Sequence, residues 1–232
     1  FVLHFSLAKM MQRLGVFGVV RGALARTATR SLSTSPQLSF DKYPFLKNLG
    51  LEEVNNGVYS GKWGGSGPEE TVFTPIDGSA IARVKTASID DYEECVAAME
   101  DAKKEWASLP LPRRGEIVRL IGQALREKRD DLGKLIALEM GKILPEGIGE
   151  VQEFIDICDL ATGLSRSMNG QVIPSERPGH FMMERWNPIG SIGIITAFNF
   201  PCAVMGWNAA ISLVAGNTQI HKGAPTTPLS SL

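Results

Sequence analysis

The chain has 232 residues, 44% hydrophobic and 21% charged, with a formal net charge of −1. That length can bury a core in one or two domains, and the near-neutral balance leaves no electrostatic footprint for a nucleic-acid partner. Three cysteines without regular spacing suit a reducing compartment and argue against a disulfide framework.

The charge is unevenly placed. Residues 1–40 carry five basic side chains (Lys9, Arg13, Arg21, Arg26, Arg30) and no acid, so the rest is mildly acidic. Two addresses compete for this head. A secretory leader would use Leu14–Val20 and the small residues Ala23-Leu24-Ala25, but that apolar run is short and Arg21 interrupts it. An organellar leader needs Arg, Ser and Thr without Asp or Glu, and Arg21–Ser35 supply them. The second reading is the stronger: a mitochondrial transit peptide over 1–40, cleaved near Arg30–Ser33, with a matrix and also a cytosolic destination open. Met10-Met11 begins the basic segment, so residues 1–9 read either as upstream sequence or as the mark of an incomplete record. No run approaches the ~20 apolar residues of a membrane span.

Past the head, Asp41–Gly50 predicts a short helix and Gly57–Trp63 a strand. Thr71–Thr74 and Ala80–Lys85 predict two strands joined through Asp77-Gly78, a strong hairpin signal. Ser88 and Asp91 form a capping-box pattern before an apolar stripe at Ile89, Tyr92, Val96, Met99, Ala102 and Trp106. A second stripe runs Ile117, Leu120, Ile121, Ala124, Leu125, Leu132, Leu135 and Ile136, and its drift predicts a bend or a break over 127–131. Gly141 reads as a helix stop, and Pro145 as the first position of a third helix with Ile148, Val151, Phe154, Ile155, Cys158, Ala161 and Leu164 inward. Gly170–Pro174 and Phe181–Trp186 predict two further strands.

Ser191–Thr196 is apolar at nearly every position, as in a central parallel strand buried on both faces. Pro201 opens a helix with apolar Val204, Trp207, Ile211, Leu213 and Val214, and Gly216-Asn217 closes it before a strand at Thr218–His221. Strand, helix and strand in about thirty residues make a βαβ unit. Thr226–Leu232 reads as the start of a helix, so the chain is expected to be a fragment. Ligands of open α/β sheets sit outside the carboxyl ends of strands, which directs attention to Asn199 and Lys222. No Gly-x-Gly-x-x-Gly is present, so the unit alone is a weak nucleotide signal. Singly, Asn199 is more often a turn residue and Lys222 a solvated strand end. His4, His180 and His221 lack ligand spacing, and no metal is expected.

Thr196-Ala-Phe-Asn-Phe-Pro201 followed by Lys222-Gly-Ala-Pro225 resembles the aldehyde dehydrogenase superfamily, over about Tyr43 to Leu232. Gly57-Val-Tyr-Ser-Gly-Lys-Trp-Gly-Gly65, Pro112-Arg-Arg-Gly-Glu-Ile-Val118, Leu138-Glu-Met-Gly-Lys-Ile143, Gly149-Glu-Val-Gln-Glu153 and Pro174-Ser-Glu-Arg177 are similar to its antiquitin branch, the α-aminoadipic semialdehyde dehydrogenases. The resemblance implies an α/β fold in which 41–232 is the begun but incomplete Rossmann-like NAD-binding domain, with a β-arm and helices beside the sheet. It implies NAD-dependent oxidation of an aldehyde, in lysine breakdown, by a dimer or tetramer of the full-length protein. Asn199 matches the amide that donates to the developing alkoxide. Thr196, Ala197 and Phe198 match backbone and side-chain contacts to the cofactor, and Lys222 matches the lysine on the adenine ribose.

The sequence departs from the family in three ways. Relatives place a glutamate where Pro225 stands, which leaves NADP open beside NAD. His221 stands where an aromatic residue is usual, and reads as a surface or core histidine. Neither the nucleophilic cysteine nor the general-base glutamate has a match: Cys95 and Cys158 lie on helix stripes, Cys202 is far too early, and Glu139 and Glu184 read as surface groups. The alternative from another class is a short non-catalytic dinucleotide-binding or interaction module.

Overall fold

A computed structural model describes residues 36–232; most of the predicted leader, with its expected cleavage site, lies outside them. Leu38–Phe40, assigned above to the leader, belong to the body. Leu38 bridges Ala80, the Ser39 amide donates to the Ala80 carbonyl, and Phe40 is buried.

The amino-terminal arm holds a 3-10 turn (Phe40–Lys42), a single helical turn α1 (Phe45–Asn48) and five short strands: β1 (Val54–Asn56), β2 (Val58–Tyr59), β3 (Trp63–Gly64), β4 (Glu69–Phe73) and β5 (Ala80–Lys85). β4 and β5 form the expected antiparallel hairpin through Asp77-Gly78, with Gly78 at φ +73°. β1 was not anticipated; it runs parallel to β5. Its polar Asn55 is buried because its amide group is satisfied by the Glu52 amide and carbonyl, at 3.0 and 2.7 Å. The strand expected over 57–63 is instead a small hairpin, β2 against β3.

Three long helices follow: α2 (Ile89–Ser108), α3 (Leu111–Met140) and α4 (Leu144–Ser167). The capping box of Ser88 and Asp91 is formed, and Gly141 ends α3 in the left-handed region at φ +81°. The break expected over 127–131 is absent. Those residues are all charged and four of the five are exposed, and the drift of the stripe has another cause. Val118 and Ile136 pack with α4 and the helix α5 (Ala203–Ala215). Leu135 and Leu138 pack with Phe40, Val72, Ile81 and Val84 of the arm. One continuous helix thus serves two cores and turns its apolar face from one to the other.

Gly115, Gly122 and Gly133 are spaced by two and three helical turns along α3, so they share a face. Against it α4 lies close enough that Gly115 meets Ser165, Gly122 meets Cys158, and Gly133 meets Gly147 and Ile148. Strands β6 (Val172–Pro174) and β7 (Phe181–Met183) then form a separate antiparallel hairpin with exposed apolar side chains. β8 (Ser191–Ile195), α5 and β9 (Thr218–Lys222) form the βαβ unit, with β8 and β9 parallel. β8 is not buried on both faces: among the described residues it pairs with β9 alone, Ile194 is buried and Ile195 is 69% exposed. α5 buries only part of the expected apolar set, with Val214 buried and Val204 and Leu213 half-buried. Trp207 and Ile211 are exposed, while Ala203, Gly206, Ala209, Ala210 and Val214 face inward, because Gly206 sits against the Phe154 ring and admits no side chain.

Buried charges join the α3–α4 hairpin to the elements after each parallel strand. The Arg114 guanidinium, 5% exposed, donates to the Val214 carbonyl at the end of α5 (2.8 Å) and to Ala107 and Leu109 at the end of α2. Glu139 is buried as well, and is not the surface group expected. It accepts from the Leu229 and Ser230 amides and the Ser230 hydroxyl, capping the 3-10 turn Leu229–Ser231 after β9. Burial outweighs these donors and pushes its carboxyl up to about 7.

Two stability tests follow. A Cβ at Gly147 would overlap the Gly133 carbonyl oxygen, whereas Gly149 faces open space. Chemical denaturation should find Gly147→Ala destabilised by about 1–3 kcal/mol and Gly149→Ala neutral or stabilised by up to about 1 kcal/mol. The folded Glu139 value lies above the ordinary 4.5, so the folded state holds this proton more tightly. The resulting stabilisation is full below about pH 4.5 and is lost as the pH rises through about 7, by roughly 3 kcal/mol. Wild type should therefore lose stability relative to Glu139→Gln over that window; a pH-independent difference would refute the assignment.

Candidate functional site

The carboxyl ends of β8 and β9 are level. Ile195 is the register partner of Lys222, and the Thr196 amide donates to the Lys222 carbonyl at 3.2 Å. The chain leaves β8 through Thr196–Pro201 and leaves β9 through Gly223-Ala224, so both segments emerge on one edge of the parallel pair. This is the crevice side of an open α/β sheet.

The predicted residues divide there. Ala197, Phe198 and Asn199 are exposed on the turn, and Lys222 is half-buried at the strand end. Partial burial draws the Lys222 ammonium below its ordinary value. Thr196 differs from the others: its side chain is buried, and its hydroxyl lies 2.9 Å from His221 Nε2. The Thr196 amide and hydroxyl are thus both engaged within the fold. His221 is the core histidine that one of its readings anticipated. Burial first, and positive charge including Lys222 after it, lower its value to about 4, so the ring is neutral near pH 7.

The turn runs into α5, and residues that the sequence did not single out for it hold that junction. Glu150 on α4 is fully buried, and its Oε1 accepts from the Cys202 and Ala203 amides at 2.7 and 3.2 Å. A carboxylate there satisfies free amides of the helix start and meets its positive dipole end. Lys142, in the loop between α3 and α4, pairs with Glu150 Oε2 at 2.7 Å and places its ammonium 3.7 Å from the Phe200 ring centroid. Phe200 directly follows Asn199. One signal pointed this way: Glu150 stands among Gly147, Val151 and Phe154, on the buried stripe of α4.

All three cysteines are buried. Burial raises the Cys95 thiol, pushes Cys158 to about 11, and drives Cys202 far above the thiolate range. None is poised as a nucleophile. An apolar cleft of about 410 Å³ lies among Met99, Trp106, Ile121, Met205 and Leu213, but neither Asn199 nor Lys222 lines it. It lacks the convergent charged groups of a reaction site. No helix among the described residues is long and apolar enough to cross a membrane.

Comparison with known proteins identifies the family. Residues 63–232 match the model of the aldehyde dehydrogenase family. Alpha-aminoadipic semialdehyde dehydrogenase from Bos taurus is 58% identical over 191 residues, covering 82% of this chain and 35% of the relative. Two solved structures share the fold. A NAD-dependent benzaldehyde dehydrogenase from Corynebacterium glutamicum is 27% identical with a TM-score of 0.71, over 78% of this chain and 40% of that one. An NADP-dependent glyceraldehyde-3-phosphate dehydrogenase from Bacillus halodurans, complexed with NADP, is 25% identical with a TM-score of 0.73, over 78% and 39%. The chain spans 35–42% of the length of curated relatives that it matches. With the family model covering most of its residues, the chain belongs to the aldehyde dehydrogenase family.

Proposed function

We propose that this segment, within a chain of its relatives' length, supplies the cofactor crevice and an oxyanion donor for oxidation of an aldehyde to a carboxylate. The observation that carries the reading is the level edge of β8 and β9, with Asn199 exposed on the turn after one strand and Lys222 half-buried at the end of the other. α-Aminoadipic semialdehyde is the substrate that the Bos taurus relative indicates.

The edge fits a nicotinamide dinucleotide by its own chemistry. Lys222 offers an ammonium at the strand end, Ala197 and Phe198 offer exposed surface, and Thr196 fixes the start of the turn between them. These residues would hold the cofactor, whose nicotinamide supplies the hydride acceptor. Pro225 brings no carboxylate against the ribose; NAD follows from the branch, and NADP is the competing ligand. When a nucleophile adds to the aldehyde, its carbonyl oxygen gains negative charge. The Asn199 amide would donate to that oxygen, and such a donor counts most where it is fixed in advance. The buried thiols of this chain leave the nucleophile to residues outside it. Those same thiols favour the second reading, a non-catalytic dinucleotide-binding module. Continuation of the reading frame past Leu232 into a Gly-rich strand, a glutamate and a cysteine decides between the two.

Residues 1–40 support import into the mitochondrial matrix through their basic, acid-free composition. The exposed Val172, Phe181 and Met183 of the β6–β7 hairpin support self-assembly, since apolar patches of this kind mark interfaces.

The catalytic test is made in a chain of full length. Asn199→Ala should lower kcat about 10²–10³-fold, and Asn199→Asp should lower it further, because a carboxylate repels the developing anion. Equal activities of the two variants would remove Asn199 from the oxyanion role. Lys222→Ala should weaken NADH binding roughly ten- to hundredfold, the loss of a charged hydrogen-bond donor, as read by fluorescence titration. Unchanged affinity for both NADH and NADPH would remove Lys222 from the site.

A further inference from the structure

We infer that Glu150 is a positioning residue that fixes Asn199 for the reaction, acting through the start of α5 and, with Lys142, through Phe200. The inference rests on the reading of Asn199 as the oxyanion donor.

The turn has two anchors that do not overlap. On the β8 side, the Thr196 amide is bound by the Lys222 carbonyl and its hydroxyl by His221. These bonds hold the cofactor-facing residues without help from α4. On the α5 side, the Glu150 carboxylate binds the amides of Cys202 and Ala203, and its partner Lys142 sits over the ring of Phe200. Asn199 lies between the anchors, one residue before the aromatic ring and three before the first capped amide. Without Glu150 the helix start loses its acceptor and Lys142 loses its partner, so the second anchor goes as a unit.

A positional role is what the physics of such a pair supports. Glu150 is fully buried and Lys142 nearly so. Taking both charges out of water offsets most of their attraction, so a buried pair of this kind adds little net stability. What the pair does fix is direction, because each carboxylate oxygen has assigned partners. A donor gains its catalytic value from being aimed before the charge appears, and a displacement on the order of 1 Å can cost about 10²-fold.

The test is a double-mutant cycle in a full-length chain, reading kcat and the KM for the dinucleotide separately. Glu150→Ala should lower kcat tenfold or more and change that KM less than threefold, because the β8 anchor is untouched. Glu150→Gln keeps an oxygen for the amides but gives up the charge, and should fall between. Combined with Asn199→Ala, either change should cost little beyond Asn199→Ala alone, since the group being aimed is gone. Glu139→Gln, the matching change at the other buried carboxylate, should instead multiply with Asn199→Ala. Multiplicative losses for Glu150 would overturn the inference, as would coupling at Glu139 as strong as at Glu150. If Glu150→Ala does not fold, the Glu150→Gln cycle carries the same decision. A harmless Asn199→Ala would instead sink the oxyanion reading itself, which keeps the two failures apart.

Discussion

Helix α5 is held at each end by a buried charge of the sign its dipole requires, and the geometry of the crevice depends on this. Glu150 meets the amino end and Arg114 the carboxyl end. Both come from the α3–α4 hairpin, which is itself set by glycines that allow close backbone approach. A charge at a helix terminus in a partly buried setting contributes up to about 2 kcal/mol. Stranding the partner of a buried pair costs about 3–5 kcal/mol. The helix therefore has one axial position, and the turn that precedes it inherits that position.

The element after β9 follows the same rule on a smaller scale. Glu139 caps the turn Leu229–Ser231, and Leu229 is packed into the core of the amino-terminal arm. The two parallel strands are thus tied to one hairpin through their exits, one by each buried glutamate. α3 runs through both cores, so the arm and the crevice share one rigid member. This explains why the arm is integral to the structure although it is remote in sequence from Asn199.

Much of this was legible in the sequence where the signal was local. The stripe of α4, the box of Ser88 and Asp91, the stop at Gly141 and the hairpin around Asp77-Gly78 each depend on residues within a few positions of one another. So did the place of Asn199 and Lys222, because a strand end is a local feature. The failures have a common physical cause in distant partners. β1 exists because β5 accepts it, and the drift along α3 reflects two cores rather than a break. α5 hides its small residues because Phe154, far away in sequence, fills the space. The clamp on Phe200 was illegible for the same reason: Lys142 and Glu150 come near it only once the hairpin is folded. Even so, a glutamate between Gly147 and Phe154 on an apolar stripe is a mark that sequence can carry.

The shielding of sulphur has one more consequence. Cys158 and Cys202 belong to the single packed cluster that joins α3, α4 and α5, and neither ionises readily in place. An alkylating reagent can reach them only when that cluster opens, so its rate of uptake becomes a clock for local unfolding at the root of the crevice. The residues that look chemically idle are in this way natural reporters of how often the working edge of the sheet comes loose.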